Sequence, residues 1–128
     1  FALVAVDIDH FKSINDNHGH DVGDEVLARL AGVLRECSRD GDLSFRLGGE
    51  EFLLLLPQTS LGVASEVAER LRRRMEATRI EPVGHVTASL GVALCEGGGD
   101  AGDALKRADE SMYAAKQSGR NQVVVQSG

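Results

Sequence analysis

The stretch "SFRLGGEEFLLLL", residues 44–56, places two glycines and two adjacent carboxylates between a short strand-like run and a strongly apolar one. A Gly-Gly pair between two such runs predicts a two-residue hairpin turn, because both central residues of that turn take positive φ. We therefore predict strands over 43–47 and 51–56, with Pro57 ending the second. Glu50 and Glu51 then lie at the mouth of a strand that is otherwise apolar. These acids either keep the hairpin tip soluble or belong to a site.

The bulk composition indicates one ordinary globular domain with an acidic balance. The chain has 128 residues, of which 42% are hydrophobic and 27% charged, and its net charge is −6. No apolar run approaches the roughly 20 residues that a membrane span needs. The negative charge argues against a nucleic-acid duplex as partner, since that partner requires a basic patch. A nucleotide is still possible, but its phosphates would need a cation such as Mg²⁺ between them and the acids.

The cysteines and the first residues bear on the compartment. Cys37 and Cys95 are far apart and lack a C-x-x-C partner, which favours two reduced, buried thiols over a disulfide. Phe1 opens directly into a strand-like segment, with no signal-peptide pattern before it. We expect a cytoplasmic location.

Hydrophobic periodicity predicts alternating strands and helices along the chain. Apolar residues recur at intervals of three and four over 21–36 and 63–77, which is typical of helices with one buried face. A third helix is predicted over 103–117, and further strands over 2–8, 85–95 and 122–126. The order β-α-β-β-α-β-α-β favours an α+β sandwich, a mainly antiparallel sheet with helices packed on it, over a doubly wound parallel sheet.

A second acidic motif, "DIDHFKSIND" over 7–16, follows the first predicted strand. Its D-x-D is compatible with a phosphatase nucleophile pair, a metal site or a polar strand end. Phe11 stands where the phosphatase pattern requires Thr or Val, which argues against the first. For a metal, Asp7 supplies a carboxylate, Ile8 a carbonyl at the strand end, and Lys12 stands within one turn to meet a phosphate.

Three further patterns carry little functional information. "GGGDAG" at 97–102 satisfies G-x-G-x-x-G, but no acidic residue follows some 20 positions later, so we predict a flexible connection before a helix. "HGH" at 18–20 lacks Cys or His partners for zinc, and a polar loop between strand and helix is the better prediction. No G-x-x-x-x-G-K-[ST] phosphate loop is present in the sequence.

Four motifs in register resemble one family. "DIDHFKSINDNHGHDVGDEVL", "RLGGEEF", "TASLGVA" and "ADESMYAAKQSGRNQV" occur in the order and approximate spacing of GGDEF domains, the diguanylate cyclases of bacterial signalling. The resemblance covers essentially the whole chain. It implies a ferredoxin-like core similar to that of adenylyl cyclases, which condenses two GTP into cyclic di-GMP and releases two pyrophosphates. It also implies a homodimer in which each half-site holds one GTP with Mg²⁺, for which Mn²⁺ can substitute.

The resemblance implies a role for each matching residue. The metal ligands correspond to Asp7, the Ile8 carbonyl and Glu50. Glu50 resembles the carboxylate that bridges the ions and helps to deprotonate the 3′-hydroxyl, and Glu51 resembles a second essential acid. The remaining substrate positions share a role in holding GTP: Gly48 and Gly49 by close backbone approach, Phe11, Lys12, Lys116 and Arg120 at the phosphates, and Asn15 and Asp24 at guanine. The resemblance also makes Lys116 and Arg120 catalytic residues, together with Glu50 and Glu51. Gly119 places Arg120 just beyond the end of the third predicted helix.

The same resemblance gives "RDGD", residues 39–42, a regulatory meaning. Taken alone, the Asp-Gly predicts a solvated surface turn. In the family, Arg39 and Asp42 match an inhibitory site for cyclic di-GMP, and Arg70 matches a secondary arginine. We expect inhibition by cross-linking, with Arg70 supplied by a neighbouring domain.

The chain departs from the family at its start. GGDEF domains usually begin some thirty residues earlier with a helix and a D-x-L-T-G-L-x-N-R stretch. We therefore expect residues 1–128 to be a single, N-terminally truncated GGDEF domain. We expect its parent protein to carry an upstream sensory or receiver domain, and that parent protein can be tethered to a membrane. A catalytically silent module that binds GTP or cyclic di-GMP is the alternative, but the intact "GGEEF" favours an enzyme.

Overall fold

The computed structural model describes residues 1–126. The strands are β1 (Ala2–Ile8), β2 (Leu43–Gly48), β3 (Glu51–Leu56), β4 (Arg79–Ile80), β5 (Gly84–His85), β6 (Ala88–Leu94) and β7 (Val123–Val125). The helices are α1 (Phe11–His18), α2 (His20–Cys37), α3 (Leu61–Ala77) and α4 (Ala101–Gln117).

The main sheet has the order β2-β3-β1-β6-β7, antiparallel except for the last pair. β1 lies at its centre and is buried along its whole length, as expected for a strand covered on both faces. The predicted α+β sandwich with a mainly antiparallel sheet is therefore confirmed. Because β1 pairs with β3, the end of β1 lies against the β2–β3 hairpin.

Helices cover the two faces of the sheet unequally. Side chains of β1 such as Val4 and Val6 pack in the larger core with α2 and α3, whereas Leu3 and Ala5 pack in a smaller core under α4. α4 approaches β6 closely at Gly91, where a Cβ would lie 2.1 Å from the Ala108 carbonyl oxygen. A glycine is required at this point because any side chain would push α4 off the sheet.

Several boundaries differ from the sequence predictions for physical reasons. Residues 11–18 form α1 rather than a loop, a helix of eight residues that is too short to show periodicity and is anchored by buried Ile14. The predicted polar loop at "HGH" is a joint between two helices, made by Gly19 with φ 88°. The predicted strand over 85–95 is interrupted before Ala88, and its first residue pairs in the short β4–β5 ribbon.

Two further predictions, on the last helix and on the cysteines, can be compared with the structure. α4 begins two residues earlier than predicted, because the Asp100 side chain accepts a hydrogen bond from the Gly102 N–H at 2.7 Å and caps the helix. Cys37 and Cys95 are both buried and free, as the sequence indicated. Within residues 1–126, no helix is both long and apolar enough to cross a membrane.

Candidate nucleotide and metal site

The pairing of β1 with β3 brings the two acidic motifs together. Asp7 is the cross-strand partner of Glu51, so the two side chains lie on the same face of the sheet as neighbours. The Ile8 N–H donates to the Glu50 carbonyl oxygen at 3.3 Å, which fixes the backbone of Glu50 beside the end of β1. The structure therefore places Asp7, Ile8, Glu50 and Glu51 at one end of the paired strands β1 and β3, although they come from motifs about forty residues apart.

The hairpin turn is shifted by one residue from its prediction. Gly48 still pairs with Glu51 across a bulge, so the two-residue loop is Gly49-Glu50 rather than Gly48-Gly49. Both glycines have positive φ, 145° and 50°, as the sequence predicted. The bulge moves Glu50 to the tip and leaves Glu51 in the strand. Arg46 holds the turn through Nε and Nη2, which donate to the Gly49 carbonyl oxygen at 3.0 and 2.7 Å.

Asp7 is the most electrostatically perturbed group of the site. Its side chain is only 9% exposed, and its Oδ1 is buried with no hydrogen-bond partner, although the Lys116 Nζ lies 3.0 Å away as an ion pair. Burial raises the pKa of Asp7 from 3.8 to about 6, with smaller contributions in the same direction from Glu50 and Glu51 and an opposing one from Lys116. The carboxylate is thus under-compensated and suited to a further cation.

Glu51 and Asp109 extend this acidic character towards α4. Burial raises the pKa of Glu51, and the negative charges of Asp109 and Glu50 add to the effect. Burial also raises the pKa of Asp109, whose Oδ1 is buried without a partner. Sequence reasoning missed both Asp109 and Arg46, since a single acid on a helix and an arginine in a strand carry no pattern of their own.

The donor set fits a hard divalent cation. Mg²⁺ prefers oxygen ligands and uses one or two carboxylates together with substrate phosphates, and Asp7, Glu50 and the Ile8 carbonyl supply such atoms. No group of three or more His, Cys, Asp or Glu side chains in residues 1–126 forms a metal site by itself. The proposed set contains only two carboxylates, which agrees with a site completed by the phosphates of a nucleotide.

The start of α1 has backbone N–H groups of the kind that bind phosphate oxygens. His10 has φ 57° and gives α1 no side-chain cap, so first-turn N–H groups, including those of Phe11 and Lys12, lack the usual capping partner. Free N–H groups at a helix N-terminus attract anions. The exposed Lys12 adds a positive charge at the same turn. Phe11 is half-buried and its side chain has no hydrogen-bond donor, so only its backbone N–H can bind a phosphate oxygen.

The two residues assigned to guanine belong to adjoining turns of α1 and α2. The Oδ1 of Asn15 is buried and has no hydrogen-bond partner. It lies against Gly23, where a Cβ would come within 1.9 Å of it. Asp24, the next residue, is exposed and lines a cleft of about 590 Å³ between α2 and the β2–β3 hairpin. An unsatisfied acceptor beside a free carboxylate suits a base edge with several N–H donors.

Lys116 and Arg120 approach the acids from the end of α4. Lys116 lies in the last turn of the helix, with its Nζ 3.0 Å from Asp7 and 3.7 Å from Asp9. Arg120 lies beyond the helix end at Gln117, as predicted, and has φ 64°.

The predicted inhibitory residues meet in a separate cleft of about 530 Å³. Arg39 and Asp42 form an ion pair at 3.4 Å, and Arg39 also donates to the Pro57 carbonyl oxygen at 3.0 Å and to Thr59 Oγ1. Arg70 lines the same cleft within one chain and donates to the Cys37 carbonyl oxygen at 3.2 Å. Arg39, Asp42 and Arg70 of one chain therefore line the same cleft, and the supply of a further Arg70 by a neighbouring domain stays a prediction.

Comparisons with known proteins agree with this geometry. The E. coli K12 protein "Diguanylate cyclase DgcM" is 47% identical over 124 residues, 97% of this chain and 30% of that protein's length. The solved "active GGEEF domain of a diguanylate cyclase from Vibrio cholerae" superposes with a TM-score of 0.90 at 35% identity, covering 99% of this chain and 83% of that one.

A second solved structure carries a ligand. The GGDEF domain of DgcB from Caulobacter crescentus, in complex with c-di-GMP, superposes with a TM-score of 0.91 at 33% identity and covers 97% of this chain and 76% of that one. The family model "Diguanylate cyclase, GGDEF domain" matches residues 1–122. The fold, the strand-end acids and these matches together show that the chain belongs to the GGDEF domain family.

Proposed function

We propose that this domain is an active diguanylate cyclase, which condenses two GTP into cyclic di-GMP and releases two pyrophosphates. The observation that carries the proposal is the buried, under-compensated Asp7 carboxylate beside Glu50 and Glu51. The similarity of the domain to DgcM and to the active GGEEF domain from Vibrio cholerae supports the same reaction. Because the chain spans 30% of the length of DgcM, this activity is proposed for the domain alone.

The domain's own residues would hold GTP from three directions. Asn15 and Asp24 accept hydrogen bonds from the guanine edge, and the first-turn N–H groups of α1 with Lys12 hold phosphate oxygens. Lys116 and Arg120 hold the triphosphate from the α4 side. When bound, Mg²⁺, or Mn²⁺ in its place, would be held by Asp7, Glu50 and the Ile8 carbonyl and would neutralise phosphate charge.

The reaction then requires two such sites to face each other. Each domain binds one GTP, so the 3′-oxygen of one nucleotide attacks the α-phosphorus of the other and pyrophosphate leaves, and a second identical step closes the ring. Glu50 lies half-buried in the hairpin turn, where it can accept the 3′-hydroxyl proton from a facing nucleotide. Glu51 adds a second negative charge beside Glu50. The active form is therefore a homodimer.

A second, regulatory function is supported by the cleft of Arg39, Asp42 and Arg70. The arginines present several N–H donors for phosphate oxygens or guanine acceptors, and the Asp42 carboxylate accepts from guanine N–H groups. The cleft lies at the start of β2, whereas Glu50 follows its end. We infer that it binds cyclic di-GMP and inhibits turnover by holding two domains apart. The complex of the DgcB domain with c-di-GMP supports this ligand.

For the parent protein, we propose an upstream sensory or receiver domain that controls dimer formation. GTP is a cytoplasmic substrate, so the domain would work on the cytoplasmic side, whether or not its parent is tethered to a membrane.

The test is product formation by a dimeric form of the domain. Fusion to a parallel coiled coil supplies the dimer, and incubation with GTP and Mg²⁺ is followed by chromatography. We expect cyclic di-GMP and pyrophosphate in a ratio of one to two. GTP binding without any cyclic product in the enforced dimer would reject the enzyme and leave the silent binding module.

A further inference from the structure

Asp9 is a buried carboxylate that the catalytic scheme does not use. It is 2% exposed, and both of its oxygens are occupied. Oδ1 accepts from Ser89 Oγ at 2.6 Å, and Oδ2 accepts from Thr87 Oγ1 at 2.7 Å. Oδ2 also accepts the backbone N–H of Asn121 at 3.0 Å, across 112 residues of chain. Asp9 thus ties the exit of β1 to the segment that follows α4.

That segment has a backbone which needs outside support. Gly119, Arg120 and Asn121 all have positive φ, at 118°, 64° and 48°. The left-handed region is unfavourable for the two residues that are not glycine. The Arg120 N–H donates to the Ala115 carbonyl oxygen at 2.9 Å, which ties the turn to the helix end. The Asn121 N–H has no such local acceptor and bonds Asp9 instead.

The Asn121 side chain adds a second attachment, to α3. Its Oδ1 accepts from Arg72 Nη1 at 2.8 Å, and its Nδ2 donates to Glu76 Oε2. We call Asp9, Asn121, Arg72 and Glu76 the Asn121 clamp. The clamp attaches Asn121, the residue after Arg120, to the exit of β1 through Asp9 and to α3 through Arg72 and Glu76.

We propose that Asp9 and Asn121 are positioning residues that fix Arg120, and with it the pair Arg120 and Lys116, for the triphosphate. Arg120 makes no hydrogen bond through its own side chain in the described residues, so its placement depends on the backbone that the clamp holds. Lys116 Nζ lies 3.7 Å from Asp9 Oδ1, which connects the second phosphate-binding group to the same carboxylate. The inference rests on the proposed function, because it assumes that Arg120 meets a phosphate.

The test measures binding of 3′-deoxy-GTP, which lacks the attacking hydroxyl, by calorimetry with Mg²⁺. We expect Asp9→Asn to weaken binding about tenfold, the order expected for losing one hydrogen bond to a charged group. Asp103→Asn is the matched control, because Asp103 is an exposed acid at the other end of α4; it should leave the affinity unchanged.

A double-mutant cycle separates positioning from general destabilisation. In an Arg120→Ala background, Asp9→Asn should weaken binding clearly less than it does in the unmodified chain, because only the contact of Asp9 with Lys116 is then left to lose. An equal loss in both backgrounds, or no loss in either, overturns the inference. If Asp9→Asn does not fold, Thr87→Val replaces it, since it removes one donor to the same Asp9 oxygen, and Thr87→Ser should restore the affinity. Thr87→Val that binds as tightly as the unmodified chain also overturns the inference.

Failure of the proposed function gives a different result. If the unmodified chain binds no 3′-deoxy-GTP, both the proposed function and this inference are rejected. If it binds and Asp9→Asn binds equally well, only the inference is rejected.

Discussion

Replacing Asp7 by Asn should make the metal-free domain more stable at neutral and alkaline pH. Burial raises the pKa of Asp7 from 3.8 to about 6, and each unit between the folded and unfolded values corresponds to about 1.4 kcal/mol. The ionised carboxylate therefore costs the folded state up to about 3 kcal/mol. Asn removes that charge at nearly the same size, so the free energy of unfolding should rise by about 2–3 kcal/mol at pH 8.

The sign of the pH dependence follows from which state binds the proton more tightly. The folded chain holds the Asp7 proton more tightly than the unfolded chain, so the stability due to this group is fully present below pH 3.8 and is lost as the pH rises through about 6. The advantage of Asp7→Asn should therefore be absent near pH 4 and complete by pH 8.

Urea unfolding with EDTA, followed by circular dichroism between pH 4 and 8, measures this difference. Asp9→Asn is the contrasting variant, because the Asp9 carboxylate has three hydrogen bonds to lose and should lower the free energy of unfolding. If the Asp7→Asn domain is less stable than the unmodified domain at pH 8, the reasoning is refuted. A gain in the free energy of unfolding that is the same at pH 4 and pH 8 also refutes it.

Three further predictions concern ligand recognition. Gly23→Ala should weaken GTP binding at least tenfold, because the added methyl group displaces the Asn15 amide. Gly32→Ala, on the same helix, is the control: its added methyl group meets nothing closer than 3.8 Å and should only stabilise the fold by about 0.5–1 kcal/mol. Calorimetry measures the affinities of both variants, and thermal unfolding measures their stabilities. Asp24→Asn should reduce the preference for GTP over ATP, since the carboxylate accepts from guanine N–H groups; equal discrimination by both proteins in calorimetry would contradict that role. Arg39→Ala should abolish binding of cyclic di-GMP while leaving GTP affinity unchanged, and equal cyclic di-GMP binding by both proteins would remove the regulatory function.

The sequence was sufficient for the three strands that carry the site and for the acids at their ends. Long apolar runs and the Gly-Gly pair identified β1, β2 and β3, and the resemblance to the family placed Asp7 and Glu50 together. The exact tip of the hairpin was not predictable, because the bulge before Gly48 depends on the pairing of two strands. That one-residue shift puts Glu50 in the turn and Glu51 in β3, where both are half-buried.

Other features of the site depend on contacts that a linear pattern does not contain. α1 has only eight residues, and its single buried residue, Ile14, gives no period. The Asn121 clamp joins residues 9, 72, 76 and 121, which are each unremarkable in sequence and meet only after the sheet and α3 have packed. Arg70 could be matched to a motif, but its place in the same cleft as Arg39 required the packing of α3 against the end of α2.

The central claim is that GTP is condensed at the acidic site formed by the end of β1 and the β2–β3 hairpin. The most direct measurement compares the unmodified domain with Glu50→Gln, both held as dimers by the same coiled coil, for cyclic di-GMP formed per domain from GTP and Mg²⁺. Glu50→Gln should bind GTP and retain the fold, yet form product slower by several powers of ten, as expected when phosphoryl chemistry loses a metal-binding carboxylate. Turnover by Glu50→Gln at a rate close to that of the unmodified dimer would contradict the assignment.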